Sequence, residues 1–138
     1  MLTDLFVAVK QNRKAKMLGP VDRPHEFVFV SDVGPVVAKL LDTPAAFGRA
    51  WNLGGAGATT QFELMRMAFG GAPRYLAAGK TMLRLMGLFD PFLKEFVEMS
   101  YLMTDPLIVD DSALQQLLGG VTKTPYSEDV RQSLAAAD

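Results

Sequence analysis

One histidine, His25, stands just ahead of the apolar run Phe27-Val28-Phe29-Val30 in a chain that has no cysteine. An imidazole in that place can exchange a proton or donate a hydrogen bond into a cleft, although a lone histidine at such a point is more often a structural residue. It makes no zinc site by itself, because zinc needs several nitrogen, sulfur or carboxylate ligands converging on one point. Arg49 and Arg74 are the candidates for holding an anion. The carboxylates of Asp32, Asp42, Asp90, Asp105 and Asp110 mostly precede helices or prolines. Caps account for them, so spacing alone names no acid/base pair.

Two glycine-bearing stretches have to be weighed for phosphate chemistry. Gly54-Gly55-Ala56-Gly57 lies between a strand pattern and a helix pattern, the context in which backbone N–H groups meet an anion. Its spacing differs from the GxGxxG dinucleotide turn, and a plain turn into a capped helix is the favoured reading. Arg74 to Thr81 ends in Gly79-Lys80-Thr81, but Arg74 stands where a Walker A loop requires its first glycine. Triphosphate binding is not expected there.

The elements that must position these residues follow from periodicity. Leu2, Leu5, Phe6 and Val9 share one helical stripe, and the basic run Lys10 to Lys16 after it complements the helix dipole. Phe27 to Val30 has the composition of a short strand buried on both faces. Asp32 is expected to cap a helix that carries Val33, Val36, Val37, Leu40 and Leu41 and leaves at Asp42-Thr43-Pro44. Ala50 to Leu53 reads as a second strand, and Thr60 with Glu63 has the spacing of a capping box for a helix ending at Gly70-Gly71. Pro73 to Leu76 reads as a brief edge strand. Thr81 to Met103 reads as two apolar helices meeting at Asp90-Pro91, Leu107 to Val109 as another strand, then a helix to Leu118 and a last one from Thr124-Pro125 to about Ala136.

With 138 residues, the chain suits a single domain spanning residues 1–138 and can bury a core without staples. A net charge of -1 supplies no general attraction to nucleic acid or anionic membrane, and the basic run lacks interleaved aromatic residues. No apolar run reaches membrane-spanning length and no signal-peptide pattern opens the chain, so a cytoplasmic protein is expected. Eight Met and nine Phe are many for this size. The Met-rich segment that includes Met99 is read as core, as the face of a dimer, or as the lining of a pocket for a hydrophobic ligand.

In order and spacing, His25, Phe27, Val28, Phe29, Val30 and Asp32, then Asn52-Leu53-Gly54, then Thr60 and Glu63, resemble the C-terminal part of an extended short-chain dehydrogenase/reductase, the group that contains NAD-dependent epimerases and dehydratases. The resemblance runs from about Leu2 to Leu134. Its Pro24-His25-Glu26-Phe27 opening is similar to that of epimerase-like reductases, while His25 and Phe29 depart from the arginine and histidine common in nucleotide-sugar members. It implies a helix-rich α/β fold with few short strands, the substrate-binding portion of a Rossmann-type enzyme.

Members of this group bind NAD or NADP through a glycine-rich turn and react through a Tyr-x-x-x-Lys pair. Neither is present: Tyr75 and Lys80 are five apart, and no lysine stands four residues after Tyr101 or Tyr126. No catalytic, cofactor or metal residue is therefore assigned, and the chain alone is expected to hold no cofactor. The expected substrate contacts are His25, Phe27, Arg49 and Met99. Expected partners are a missing nucleotide-binding half or further copies of the chain, together with a hydrophobic small molecule, and neither nucleic acid nor membrane.

Overall fold

The computed structural model describes residues 2–78 and 101–137. Helix α1 (Leu2–Lys10) buries Leu5 and Ala8 completely and turns through Asn12, whose φ of +53° reverses the chain. Strand β1 (Ala15–Leu18) follows. The basic run is thus divided: its first lysine ends α1 and its last lies in β1. Asp4 ties the two together, accepting from Arg13 Nη2 at 2.7 Å and from the Lys16 amide at 2.9 Å.

Strand β2 (Pro24–His25) pairs antiparallel with β3 (Thr59–Thr60), and β1 pairs in parallel with β4 (Tyr75–Ala78), in register from Ala15 opposite Tyr75 to Leu18 opposite Ala78. Between them run α2 (Val30–Leu41), a 3₁₀ turn at Pro44–Ala46, and α3 (Gln61–Phe69). After the second described segment begins come α4 (Tyr101–Thr104), α5 (Ser112–Leu118) and α6 (Tyr126–Ala136). The result is the helix-rich α/β arrangement with short strands that the sequence implied.

The core gathers where α1, α3 and α6 meet β1. Leu5, Ala8, Ala15, Met17, Leu64, Met65, Ala68 and Val130 form it. Burying a side chain such as Leu5 or Met65 stabilises the fold by roughly 1.5–3 kcal/mol. Helix α3 is placed by its own ends: Thr60 Oγ1 accepts from the Glu63 amide at 3.1 Å, and Gly70 closes the last turn at φ +66°. The Glu63 carboxylate turns to Arg66 at 2.7 Å.

Several expected elements differ. The strand expected at Phe27–Val30 does not form; the strand here is Pro24–His25, and among the described residues none pairs with the backbone of Phe27 to Val30. The Glu26 amide goes to the Leu107 carbonyl at 2.9 Å, the Phe27 amide goes to the Tyr126 hydroxyl at 3.1 Å, and Val30 already opens α2. Asp32 caps nothing. Helix α2 begins two residues earlier, and the Asp32 carboxylate instead accepts from the Thr124 amide and hydroxyl at 2.8 and 2.6 Å. Ala50–Leu53 forms no ladder, and Leu107–Val109 contributes a single parallel bridge, Leu107 to His25. Most of the expected helix pair at 81–103 lies outside the described residues.

Candidate functional site

The segment from His25 to Phe29 crosses the molecule between the core and α2. His25 is buried, with Nδ1 3.0 Å from the Arg23 carbonyl and Nε2 3.1 Å from the Leu102 carbonyl. Both neighbours accept hydrogen bonds. A neutral imidazole has one N–H and donates to one of them at a time; either way the ring is held between two backbone oxygens. The Phe27 ring lies 6.3 Å away, tilted by 36°.

Phe27 lines a cavity of about 250 Å³ whose other walls include Phe6, Val28, Leu64 and Val130. Its polar wall is Asp129 with Ser133, whose hydroxyl donates to the carboxylate at 3.0 Å. Burial pushes the Asp129 carboxyl above its ordinary range, and the nearby Asp32 charge adds to that. An apolar chamber with one carboxyl group suits a small ligand that has an apolar body and a hydrogen-bonding end.

On the other side of the same segment lies a polar clasp. Gly54 and Gly55 are buried against it: an added Cβ on Gly55 would stand 2.1 Å from the Phe27 carbonyl oxygen. The Tyr126 hydroxyl accepts from the Phe27 amide and donates to the Gly57 carbonyl at 2.6 Å. Burial raises the Tyr126 pKa above its ordinary value. Asp111 accepts from the Gly54 amide at 3.1 Å and pairs with Lys123 Nζ at 2.7 Å. Burial opposes its charge, yet Lys123, the Gly54 amide and Gln115 together hold the Asp111 carboxyl below its ordinary range. The Glu26 carboxylate accepts from the Val109 amide at 3.3 Å.

These contacts bear on the glycine loop. The Gly54 amide is already given to a carboxylate, and the space at Gly55 is filled by the Phe27 carbonyl. A pyrophosphate would meet a negative charge and a backbone oxygen there, so the loop does not fit NAD or NADP. Among the described residues no cluster of His, Asp and Glu is arranged to hold a metal ion, and no helix is long and apolar enough to cross a membrane.

Of the expected contact residues, the structure brings His25 and Phe27 together. Arg49 stands over the Trp51 ring at 4.1 Å, a cation–π contact on the loop that follows α2, and Met99 lies outside the described residues. Tyr126, Lys123 and Asp129 were not singled out by the sequence. Tyr126 has partners some 70 to 100 positions away, Phe27 and Gly57, while Lys123 and Asp129 matter through the Asp111 pair and through the cavity that Asp129 lines.

The class defined by this arrangement is the Rossmann-type epimerase fold, matched over 97–99% of the chain. The particular structures are UDP-glucuronic acid 4-epimerase from Bacillus cereus in complex with NAD (TM-score 0.70, 12% identity), the same enzyme with UDP-glucuronic acid and NAD (TM-score 0.69, 13% identity), and a candidate epimerase from Burkholderia cenocepacia J2315 (TM-score 0.68, 18% identity). The chain covers 97%, 98% and 99% of itself in these matches and spans 38%, 38% and 40% of those chains. At such identities the likeness is one of fold. No protein-family model and no curated protein matches the chain.

Proposed function

We propose that this chain is the substrate-binding portion of an NAD(P)-dependent epimerase, dehydratase or reductase-like protein, and that it is not catalytic by itself. The observation that carries this reading is the match of nearly the whole chain to about two fifths of epimerase chains solved with NAD. The hydride carrier, NAD or NADP, belongs to a nucleotide-binding half with its own glycine-rich turn and Tyr-x-x-x-Lys pair. This chain's part is to shape the space for substrate. Phe27, Phe6, Leu64 and Val130 exclude water from an apolar body, and Asp129 with Ser133 meets its polar end. His25 holds the Phe27 segment in place through the carbonyls of Arg23 and Leu102. Arg49 and Met99 are kept in the same reading as further substrate contacts.

An isotope-labelled sample titrated separately with NADH, NADPH and a small aromatic ketone tests it. The ketone is expected to shift the resonances of Phe27, Val28, Leu64 and Val130, while the dinucleotides leave the spectrum unchanged. Tight dinucleotide binding, or ketone reduction by this chain alone, would overturn the reading.

A further inference from the structure

The cavity beside Phe27 holds about 250 Å³, and its walls combine the rings of Phe6, Phe27 and Phe29 with a single ionisable group, Asp129. A void on the order of 150 Å³ takes a benzene ring. Room is left here for one ring and a short side chain.

Asp129 sits in the first turn of α6. Its Oδ1 accepts from the Ser133 hydroxyl at 3.0 Å, and its Oδ2 has no donor among the described residues. The cations of this region are committed elsewhere. Arg131 is engaged with Glu128 at 2.5 Å, and Lys123 with Asp111 at 2.7 Å. Lys39 lines a different cleft, together with Asp32, and among the described residues it forms no ion pair with either carboxylate. The charge that Asp129 feels is that of Asp32, a second carboxylate, itself held by the Thr124 amide and hydroxyl.

The polar end of the cavity therefore carries negative charge that nothing in the chain offsets. A phosphate or carboxylate on the ligand would be repelled there, and a carbonyl oxygen would bring one acceptor to another. An ammonium group supplies the missing charge together with N–H donors. Its hydrogen bond to a carboxylate is of the strong, charge-assisted kind, and strengthens further where apolar walls exclude water. Burial raises the Asp129 carboxyl, and a bound cation would draw it back down.

We propose that the cavity binds a small primary amine with an aromatic body, its ammonium group on the free oxygen of Asp129 and its ring among Phe6, Phe27 and Phe29. This rests on the cavity being the chain's substrate site, and names the class of substrate.

The full chain, isotope-labelled, is titrated at neutral pH with 2-phenylethylamine, 2-phenylethanol and phenylacetate, which share a phenyl body and differ in the charge of the end group. The amine should shift the resonances of Phe27, Leu64 and Val130 and bind about tenfold more tightly than the alcohol, the difference that a charged hydrogen bond makes. Phenylacetate should bind most weakly. Asp129→Asn keeps the shape and removes the charge, so it should bring the amine down to the alcohol's affinity. Where that variant fails to fold, the three ligands on the wild-type chain decide. Equal binding of amine and alcohol at these resonances, or tightest binding by phenylacetate, overturns the amine and leaves the cavity as the substrate site. A preference for the amine that survives Asp129→Asn overturns it as well. Shifts from none of the three ligands overturn both the amine and the reading of the cavity on which it rests.

Discussion

The clasp around Gly54 and Gly55 and the outer face of α2 are opposite solutions to exposing a chain's chemistry. In the clasp, buried polar groups find partners within the molecule: the Gly54 amide has Asp111, Asp111 has Lys123, and the Phe27 amide and Gly57 carbonyl share the Tyr126 hydroxyl. On α2, Val30, Val33, Val37 and Leu41 are exposed. Unmet polar groups inside a protein cost more than exposed apolar ones outside it. The clasp is therefore complete within one copy, while the α2 face gains stability only when another surface covers it.

That contrast can be broken in order of size. Gly55→Ala should have the largest effect, on the order of 3–4 kcal/mol or failure to fold, since its Cβ would overlap the Phe27 carbonyl. Urea unfolding measures it, and Gly57→Ala, whose Cβ meets nothing within 4 Å but whose φ is +98°, should cost about 1 kcal/mol. Lys123→Met leaves the Asp111 carboxylate without its cation and should cost roughly 2–3 kcal/mol.

The same substitution should change the acid limb of the stability curve. The folded Asp111 carboxyl lies below its ordinary 3.8. Its contribution is therefore present above pH 3.8 and is lost as pH falls through the lowered folded value, a loss that Lys123→Met should flatten. Asp129 has the opposite sign. Its raised carboxyl adds stability below 3.8 and loses it as pH rises through the folded value, so Asp129→Asn should make the protein more stable near neutrality.

Tyr126→Phe removes a hydroxyl shared by two backbone groups and should cost about 1–2 kcal/mol. At the small end, Val37→Ser should alter the unfolding of a single copy by no more than about 0.5 kcal/mol, as expected for an exposed position. A large loss there in dilute solution would mean that α2 is already covered within one copy, and the contrast would disappear.

Gln61 sharpens the same comparison from inside the core. Its Oε1 is buried without a partner at the first position of α3. The glutamine looks polar and unremarkable in the sequence, and only the packing of α3 shows the unmet acceptor.

The sequence by itself determined what depends on near neighbours. Thr60 ahead of Glu63, the glycine after Phe69, and the apolar stripe of α1 placed two helices because caps and helical periodicity act over three or four residues. The order of motifs was enough to reach the epimerase-like fold. The Phe27–Val30 run was read as a strand because it has a strand's composition, but a strand exists only where another lies beside it, and past His25 its amides turn to Leu107 and Tyr126. β1 was hidden in a basic run for the converse reason: β4 is its partner, some sixty residues on. Tertiary structure alone decided that Asp32 serves Thr124 rather than a helix end, that Asp111 holds Gly54, and that Val30, Val33, Val37 and Leu41 of α2 are exposed. Such outcomes depend on which distant donors, charges and surfaces meet, and local spacing does not contain that information.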